Sequence, residues 1–337
     1  MNDALPRSDH HRPARIRVLL FDAKGQDRDA DLQSLDITRL AEHELAWIDI
    51  HAQDHRDVQQ VFETLALEPP DIASLFEHDA EPLSVREDWF AARAIAPCWN
   101  DAEADLDRVP WLLVVGPNVV VTAHKKPIAF LDTFKEHHDP GSSVGALDGD
   151  SFAVVLLDRM LTAWFDAMDA FECKLDTLEV DILENRAHTG HMPYLRTLRR
   201  AAAAFRRLLS QHRDLFDALR RPDFRPERDD HVDKRFRAVA DRYERAMDAA
   251  ENARQLVVGS YELLETRLSQ RTNETMRLLT FVTVLLGGLA VVAGVLGMNF
   301  QAKIFDTGSA GFWTTVAAMA SVAIGALLLA RWRGWWR

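Results

Sequence analysis

One run of residues near the C-terminal end of the chain combines oxygen-bearing and very small side chains at a helical spacing. Steps of three and four residues pass through Asn273, Met276, Thr280, Thr283, Gly287, Ala290, Gly294 and Gly297. Such residues share one face of an α-helix, and the positions beside them are mostly large and apolar. A face of polar and small residues could line a water-filled pore. Small residues also permit tight helix packing in membranes, and that alternative stays open.

The row lies within a segment that is long enough to cross a lipid bilayer. Residues 278–298 contain no charged side chain, and a second charge-free run covers residues 312–330. An α-helix of about 20 apolar residues spans the hydrocarbon core of a membrane. We therefore predict two transmembrane helices joined by a short loop at residues 299–311. Two helices cannot enclose a lumen, so a pore would need several copies around one axis, as in a symmetric homo-oligomer.

Basic residues flank the two predicted spans on one side of the membrane. Residues 331–337 contain three arginines, three more arginines lie at positions 267, 271 and 277, and the loop holds one lysine and one aspartate. Positive residues favour the cytoplasmic side, so both termini are expected there and the loop outside. The N-terminal region lacks the apolar stretch of a signal peptide, and the two cysteines fit a reducing compartment. The soluble part is therefore expected to be cytoplasmic.

The soluble part is acidic, and its pattern changes from strands to helices. The formal net charge of −12 argues against nucleic acid as a partner. It suits an environment that handles cations, although solubility alone would also explain it. Residues 1–150 read as an α/β domain and residues 151–277 as a helical region with a long stalk. Strands are expected at residues 15–21, 46–50, 89–96, 111–115 and 119–123, with a helix at residues 54–66.

Three long helices are predicted in the second half of the chain. Amphipathic spacing covers residues 152–185 and 192–219, and a third pattern begins near Asp230. No proline interrupts the third pattern before the membrane, and its weak point is Gly259, which costs about 1 kcal/mol. We infer one continuous helix of about 65 residues, roughly 100 Å long at the standard rise. A stalk of this length is normally held by neighbours, which again favours an oligomer.

A short motif follows the pore row at the outer end of the first span. Gly297, Met298 and Asn299 lie there, close to the C-terminus and after the long helix. In this placement the chain resembles the CorA family of divalent cation transporters. Residues 270–280, which read QRTNETMRLLT, also resemble the stalk-to-pore junction of that family. Weaker similarity is seen in the stretches WIDI, at residues 47–50, and GPNVVVT, at residues 116–122.

The resemblance implies an α+β cytoplasmic domain in a homopentameric funnel, with a pore helix and an outer helix from each subunit. Gly297, Met298 and Asn299 would form the outer selectivity ring, and Asn273 would lie at the inner mouth. Met276 and Leu279 would form hydrophobic constrictions. Thr280, Thr283, Gly287, Ala290 and Gly294 would line the pore. The residues alone leave other roles open: Asn299 could end a helix, Met276 and Leu279 could pack in the stalk, and Asn273 could be solvated.

The chain also departs from the family pattern. Leu296 replaces the usual aromatic residue before the motif, and Ala290 stands where a threonine commonly lines the pore. Of the acidic positions that sense cytoplasmic ion in known magnesium members, one is Ala238 here, with Asp241 a turn later. The other falls near Ser74, with Asp71, Glu77 and Asp79 close by. Asp241 and Asp71 are therefore the candidates for a regulatory cation site. A zinc-transporting ZntB branch stays an alternative, but Met298 favours the magnesium branch.

The resemblance thus implies a pentameric transporter in the bacterial inner membrane that moves hydrated Mg²⁺, or Co²⁺ and Ni²⁺, down the membrane potential. Its partners would be other copies of itself, membrane lipid and the transported cations. No enzyme activity and no catalytic cofactor are expected, since no catalytic constellation stands out. A Zn²⁺ transporter and a membrane-anchored scaffold without transport are the two alternatives.

Overall fold

The computed structural model describes residues 15–52, 55–65, 83–86, 89–136, 144, 147–186, 190–221, 223–224, 230–298 and 308–333. The chain divides into two compact units. One unit comprises Met1–Leu178 and Gly190–Ser260, and the other comprises Glu179–Thr189 and Tyr261–Arg337. The first unit contains a sheet and helices, and the second contains both apolar segments. Each unit is described by itself below.

A seven-stranded mixed sheet is the centre of the first unit. Its strands are β1 (Arg15–Asp22), β2 (Arg28–Ala30), β3 (Glu44–His51), β4 (Leu83–Val85), β5 (Phe90–Asn100), β6 (Asp105–Val115) and β7 (Val119–His124). The order across the sheet is β2-β1-β3-β7-β6-β5-β4. Strands β3 and β7 run parallel, and the other described neighbours are antiparallel. The sheet with its separate helices confirms the predicted α+β class.

Helices cover both faces of this sheet. Helix α1 (His55–Thr64) packs through Val58, Val61 and Phe62 against one face, in a core that includes Ile48 and Val121. Helix α2 (Ala129–Glu136) and helix α3 (Gly149–Asp181) contribute aromatic side chains on the other face. There Phe134 and Phe152 pack against Trp47 at ring-centroid distances of 5.6 and 5.5 Å. The apolar alternation of β3 is thus satisfied on both sides, as expected for a central strand.

Four further α-helices follow in the described part of the chain: α4 (His191–Leu209), α5 (Arg213–Arg220), α6 (Asp230–Leu296) and α7 (Gly308–Trp332). Helix α6 has 67 residues and confirms the continuous helix that was predicted from Asp230. Phe205 of α4 packs between Trp164 and Phe171 of α3, and Phe216 of α5 stacks on Tyr243 of α6. The helical part of the first unit is therefore held by aromatic contacts between sequence-distant helices.

The predicted helix at residues 192–219 is interrupted, which is a correction to the sequence analysis. A 3₁₀ turn at Ser210–His212 separates α4 from α5. The side chain of His212 is buried, and its Nε2 accepts a hydrogen bond from the Ile95 backbone N–H of β5 at 2.8 Å. This bond draws the turn toward the sheet, and a local 3₁₀ segment accommodates the displacement. Amphipathic spacing alone contains no sign of this contact.

The sheet is also longer than predicted. Strand β5 extends to Asn100 and strand β6 begins at Asp105. The two strands pair along their whole length. Proline 110 fits within β6 because β7 pairs only from Trp111 onward, so that edge of β6 needs no N–H donor at Pro110. Strands β2 and β4 have three residues each and were not predicted. Their shortness leaves too little alternation to detect in the sequence.

Candidate pore-lining face

Two described helices, α6 and α7, are long and apolar enough to cross a membrane. The most apolar stretch of each is unburied within the chain. Large side chains such as Val284, Leu286 and Val291 are more than half exposed. A surface of this kind is unfavourable in water, so it needs lipid or other copies of the chain around it. The predicted site residues of α6 lie in or beside this exposed apolar stretch.

Only one stripe of the membrane segment of α6 is partly covered among the described residues. It consists of Phe281, Leu285 and Leu289, spaced four residues apart. At 3.6 residues per turn, the small and polar row lies on roughly the opposite side of the helix. Its members between Asn273 and Gly294 are exposed. Among the residues that the structure describes, the row is therefore not used for packing.

Threonine hydroxyls supply the side-chain oxygens of this row. The hydroxyl of Thr280 donates to the carbonyl of Met276 at 2.8 Å, and that of Thr283 donates to the carbonyl of Leu279 at 2.8 Å. Each hydroxyl proton is thereby directed into its own helix, and the lone pairs remain free to accept. An oxygen in this state presents partial negative charge to the helix surface. Such oxygens suit the water shell of a cation.

Glycines in the same segment have no packing explanation within the chain. A Cβ added at Gly287, Gly288 or Gly294 would meet no described atom within 4 Å. Glycine inside a helix costs about 1 kcal/mol relative to alanine, so three glycines in an uncrowded helix need another reason. Close approach of a second helix or of an ion pathway would supply that reason.

The row ends where the helix ends. Helix α6 stops at Leu296, and the Gly297 N–H still donates to the carbonyl of Ala293 at 2.9 Å. The Met298 N–H makes a longer bond, 3.3 Å, to the carbonyl of Val295, and its side chain is half exposed. A Cβ on Gly297 would lie 3.3 Å from the Ala293 carbonyl oxygen, so the position is tight. Asn299 lies outside the described residues.

At the other end of the membrane segment, Asn273 and Met276 belong to the row, and Leu279 lies directly before its member Thr280. The side chains of Met276 and Leu279 are 58% and 59% exposed, which is unusual for large apolar residues of a single chain. The structure thus brings the predicted constrictions and the predicted pore lining onto one helix face. The roles assigned to these residues stay predictions.

The predicted regulatory residues are in different situations. Asp241 forms an ion pair with Arg220, with Oδ1 accepting from Nη2 at 2.7 Å. Asp71 lies outside the described residues. Within the described part of the chain, no group of three or more histidine, cysteine or acidic side chains is arranged to hold a metal ion. A regulatory role for Asp241 stays a prediction, and a cation there would compete with Arg220.

The sequence analysis missed a buried polar cluster in the sheet. Asp49 of β3 accepts hydrogen bonds from the Thr122 hydroxyl at 2.5 Å and from Lys135 Nζ at 2.6 Å, and His124 Nε2 lies 3.3 Å away. Burial raises the pKa of Asp49, but the hydrogen bond and charge of His124 and the charge of Lys135 outweigh it, giving a pKa of about 2. The cluster is an ionised network that joins β3, β7 and α2.

Comparison with known proteins places the whole chain in context. The family described as "CorA-like Mg2+ transporter protein" matches residues 42–331. The cobalt/magnesium transport protein CorA of Thermotoga maritima is 26% identical over 50% of this chain and 48% of that protein. The divalent cation transporter CmaX of Pseudomonas aeruginosa is 29% identical over 50% of this chain and 48% of that protein. The chain thus aligns with about half the length of these relatives.

Structural similarity covers more of the chain than sequence similarity does. The complete structure of the CorA magnesium transporter from Methanocaldococcus jannaschii matches 95% of this chain and 98% of that chain. The TM-score is 0.71 at 17% sequence identity. At this identity the match demonstrates a shared fold, which includes the mixed sheet, the long helix and the two apolar helices.

Proposed function

Because the chain belongs to the CorA-like Mg²⁺ transporter family, we propose that it moves hydrated Mg²⁺ into the cell through a homopentameric pore. Co²⁺ and Ni²⁺ are expected as further substrates. The family consists of transporters and not of enzymes, and the transported metal is a divalent cation. The proposal places the chain in the bacterial inner membrane with both termini in the cytoplasm, as the arginines beside the spans favour.

One observation carries the proposal: the small, oxygen-bearing row of α6 lies opposite the only partly covered stripe among the described residues of its membrane segment. If the row served packing between α6 and α7 of one chain, it would be the covered face. A single helix face cannot enclose water, so the row needs equivalent rows from other copies. Five copies around an axis would bring Thr280, Thr283 and Gly294 of each subunit to one lumen.

The outer ring is proposed to hold the ion through its water shell. Mg²⁺ gives up its inner waters reluctantly and prefers oxygen ligands. Backbone carbonyls of Gly297 and amide oxygens of Asn299 can accept hydrogen bonds from those waters without removing them. Neutral oxygens bind weakly enough to let the ion leave again. Met298 would complete this ring at the outer mouth.

The inner half of the pore is proposed to contain the gate. Rings of Met276 and Leu279 would form hydrophobic constrictions that close the pore by excluding water. The amide of Asn273 would contact the hydrated ion at the inner mouth. Moving one charge through 100 mV contributes about 2.3 kcal/mol, so a divalent ion gains about 4.6 kcal/mol. Passive uptake therefore needs no nucleotide hydrolysis.

The proposal can be tested with purified protein in proteoliposomes under a negative-inside potential. Dyes that respond to Mg²⁺ and to Zn²⁺ would be enclosed in parallel samples. We expect potential-driven entry of Mg²⁺, and we expect Asn299→Ala to reduce its rate at least about tenfold, the scale set by losing one hydrogen bond to the water shell of the ion per subunit. Thr314→Ala on α7 is the control for a polar-to-alanine change in the membrane segment, because Thr314 lies on the helix that is not proposed to line the pore.

Each outcome distinguishes the proposal from an alternative. Entry of Zn²⁺ without Mg²⁺ would assign the chain to a zinc-transporting branch. Absence of flux for both ions, in vesicles that retain the folded protein, would favour a membrane-anchored scaffold. Unchanged Mg²⁺ entry in Asn299→Ala would remove the outer ring from the mechanism.

A further inference from the structure

A cleft that is rich in arginine lies between α3 and α6 in the first unit. Its volume is about 550 Å³, and the small apolar residues Val154, Ala238 and Val239 form part of its wall. The wall also contains a single carboxylate, that of Asp158, and four arginines, at positions 159, 235, 242 and 245. The cleft is separate from the pore-lining face, and the sequence analysis did not predict it.

The positive charge of the cleft exceeds what its own copy balances among the described residues. Arg242 donates from Nη1 to Asp158 at 2.5 Å and from Nη2 to the Thr162 hydroxyl at 2.9 Å, so the one carboxylate is already engaged. The other three arginines have no ion-pair partner among the residues that the structure describes in one copy. The chain has 52 acidic and 40 basic residues, so its other surfaces carry an excess of carboxylates. The cleft is thus complementary in charge to the chain to which it belongs.

The residue types of the cleft are those found where two proteins meet. All four cations in its wall are arginines, and none is a lysine. Arginine is enriched in protein interfaces and lysine is depleted there. The planar guanidinium group can form two parallel hydrogen bonds to one carboxylate, and it is more weakly hydrated than an ammonium group. Ala238 is exposed, and its small side chain leaves room for a side chain of a neighbouring copy.

A second copy of the chain is the partner that the proposed function brings to this cleft. Helix α6 carries both the cleft and the membrane row through which copies are proposed to meet. Copies that are joined through the row are present to each other at a high effective concentration. In a closed ring, each copy can offer its cleft to one neighbour and its carboxylates to the other. The inference therefore rests on the proposed homo-oligomer.

Arginine also engages the carboxylate that the sequence offered for a regulatory cation. Oδ1 of Asp241 accepts a hydrogen bond from Nη2 of Arg220 at 2.7 Å. A carboxylate oxygen that faces a guanidinium group is not open to a divalent cation on the same side. We propose that carboxylates of the neighbouring copy enter the cleft and pair with its arginines, so that guanidinium groups, and not a divalent cation, join the subunits there.

Carbodiimide crosslinking of the full-length protein in detergent tests the proposal, with light scattering used first to measure the mass of the wild-type oligomer. The reagent joins an amine to a carboxylate in contact with it, and Arg235→Lys adds such an amine to the cleft while keeping the charge. Denaturing electrophoresis separates covalent dimers from single chains. We expect Arg235→Lys to give at least about fivefold more dimer than the wild type, because groups in contact react at a high effective concentration. Mass spectrometry of the dimer then identifies the carboxylate that was joined.

A matched variant and a change of medium make the result specific. Arg237 lies on the same helix but pairs with Asp233 of its own chain at 3.2 Å, so the product of Arg237→Lys should remain a single chain. The reaction of Arg235→Lys is repeated in EDTA and in Mg²⁺. The two media should give equal yields of dimer, since no divalent cation is needed at the contact.

Three results would overturn the proposal. A yield of dimer that falls in EDTA and recovers in Mg²⁺ would assign the contact to a divalent cation. Equal yields from Arg235→Lys and Arg237→Lys, in protein that light scattering shows to be oligomeric, would remove the cleft from the contact and leave the proposed pore intact. A monomeric wild-type protein would instead contradict the homo-oligomer on which both proposals rest.

Discussion

At the scale of single residues, His212 has the most restricted environment of the described histidines. Its Nε2 accepts from the Ile95 N–H at 2.8 Å, so Nδ1 carries the proton and donates to the Leu209 carbonyl at 3.2 Å. Burial lowers the pKa of His212 to about 4, and the charge of Arg93 acts in the same direction. The folded protein therefore needs this imidazole to be neutral.

The pH dependence of stability follows from this shift. Between pH 6.5 and about 4 the unfolded chain binds a proton at His212 that the folded chain does not, so acidification through this window lowers stability. The contribution of neutral His212 to the free energy of unfolding is complete above pH 6.5, and about 3 kcal/mol of it is lost by pH 4. Thermal unfolding in detergent at several pH values would measure it. His212→Gln should flatten this part of the profile; an unchanged slope would assign it to other groups.

The buried cluster around Asp49 gives a second prediction. Lys135→Met would leave the ionised Asp49 carboxylate buried without its closest cation, which costs about 3 kcal/mol or more. The matched control is Lys174→Met, which breaks the pair with Asp101 at the surface and should shift the unfolding temperature much less. Tryptophan fluorescence during heating would compare the two variants. Equal shifts in unfolding temperature would contradict a special role for the cluster.

Sequence patterns reveal residues that recur at helical or strand spacing. They do not reveal residues whose role depends on contacts with distant parts of the chain. The small and polar row of α6 was visible because its members recur at helical spacing on one element. Asp49 and Thr122 are 73 residues apart, and His212 and Ile95 are 117 residues apart. No spacing rule connects such positions.

At the scale of elements, two glycines have opposite structural roles. Gly149 begins α3 with its N–H donating to the Pro117 carbonyl at 2.7 Å, and a Cβ there would collide with the Gly116 carbonyl oxygen. Gly259 lies on an exposed turn of α6, where a Cβ would meet nothing within 4 Å. One glycine is required by a close backbone approach, and the other is not.

Alanine substitutions at these two glycines should change the stability of the protein in opposite directions. Gly149→Ala should destabilise the protein by about 2 kcal/mol or more, because the backbone of the Gly116–Asn118 turn must move. Gly259→Ala should stabilise it by about 1 kcal/mol through helix propensity alone. Both effects can be read as shifts of the unfolding temperature under one set of conditions. A stabilised Gly149→Ala protein would be inconsistent with the described contact.

The ends of helices and strands were predictable where the hydrophobic spacing agreed with the positions of proline. Helix α6 was placed correctly because its spacing is unbroken from Asp230 and no proline intervenes. The central strands were identified by their apolar β-branched residues. Strand ends in the β5–β6 hairpin were missed because Asp105, Asp107 and Arg108 are polar positions on an exposed extension. There, pairing with the neighbouring strand determines the structure more than composition does.

At the scale of the whole molecule, the proposed oligomer predicts which face of α6 meets its copies. Thr283 lies on the small row, and Leu289 lies on the partly covered stripe. In a background with Cys98 and Cys173 changed to serine, Thr283→Cys should form disulfide-linked dimers in the membrane under oxidation. Leu289→Cys should form far fewer. Gel electrophoresis without reductant would measure both, and the reverse preference would contradict a central pore row.

The edges of the sheet have a consequence for how copies of this protein can meet. Both outermost strands, β2 and β4, have only three residues. A short edge offers few unpaired N–H and C=O groups as a template for strand addition. Strand-to-strand polymerisation, the usual route to β-aggregates, is therefore disfavoured for the first unit even at high local concentration. Association between copies is left to helical surfaces, where the contacts can be limited in number and reversible.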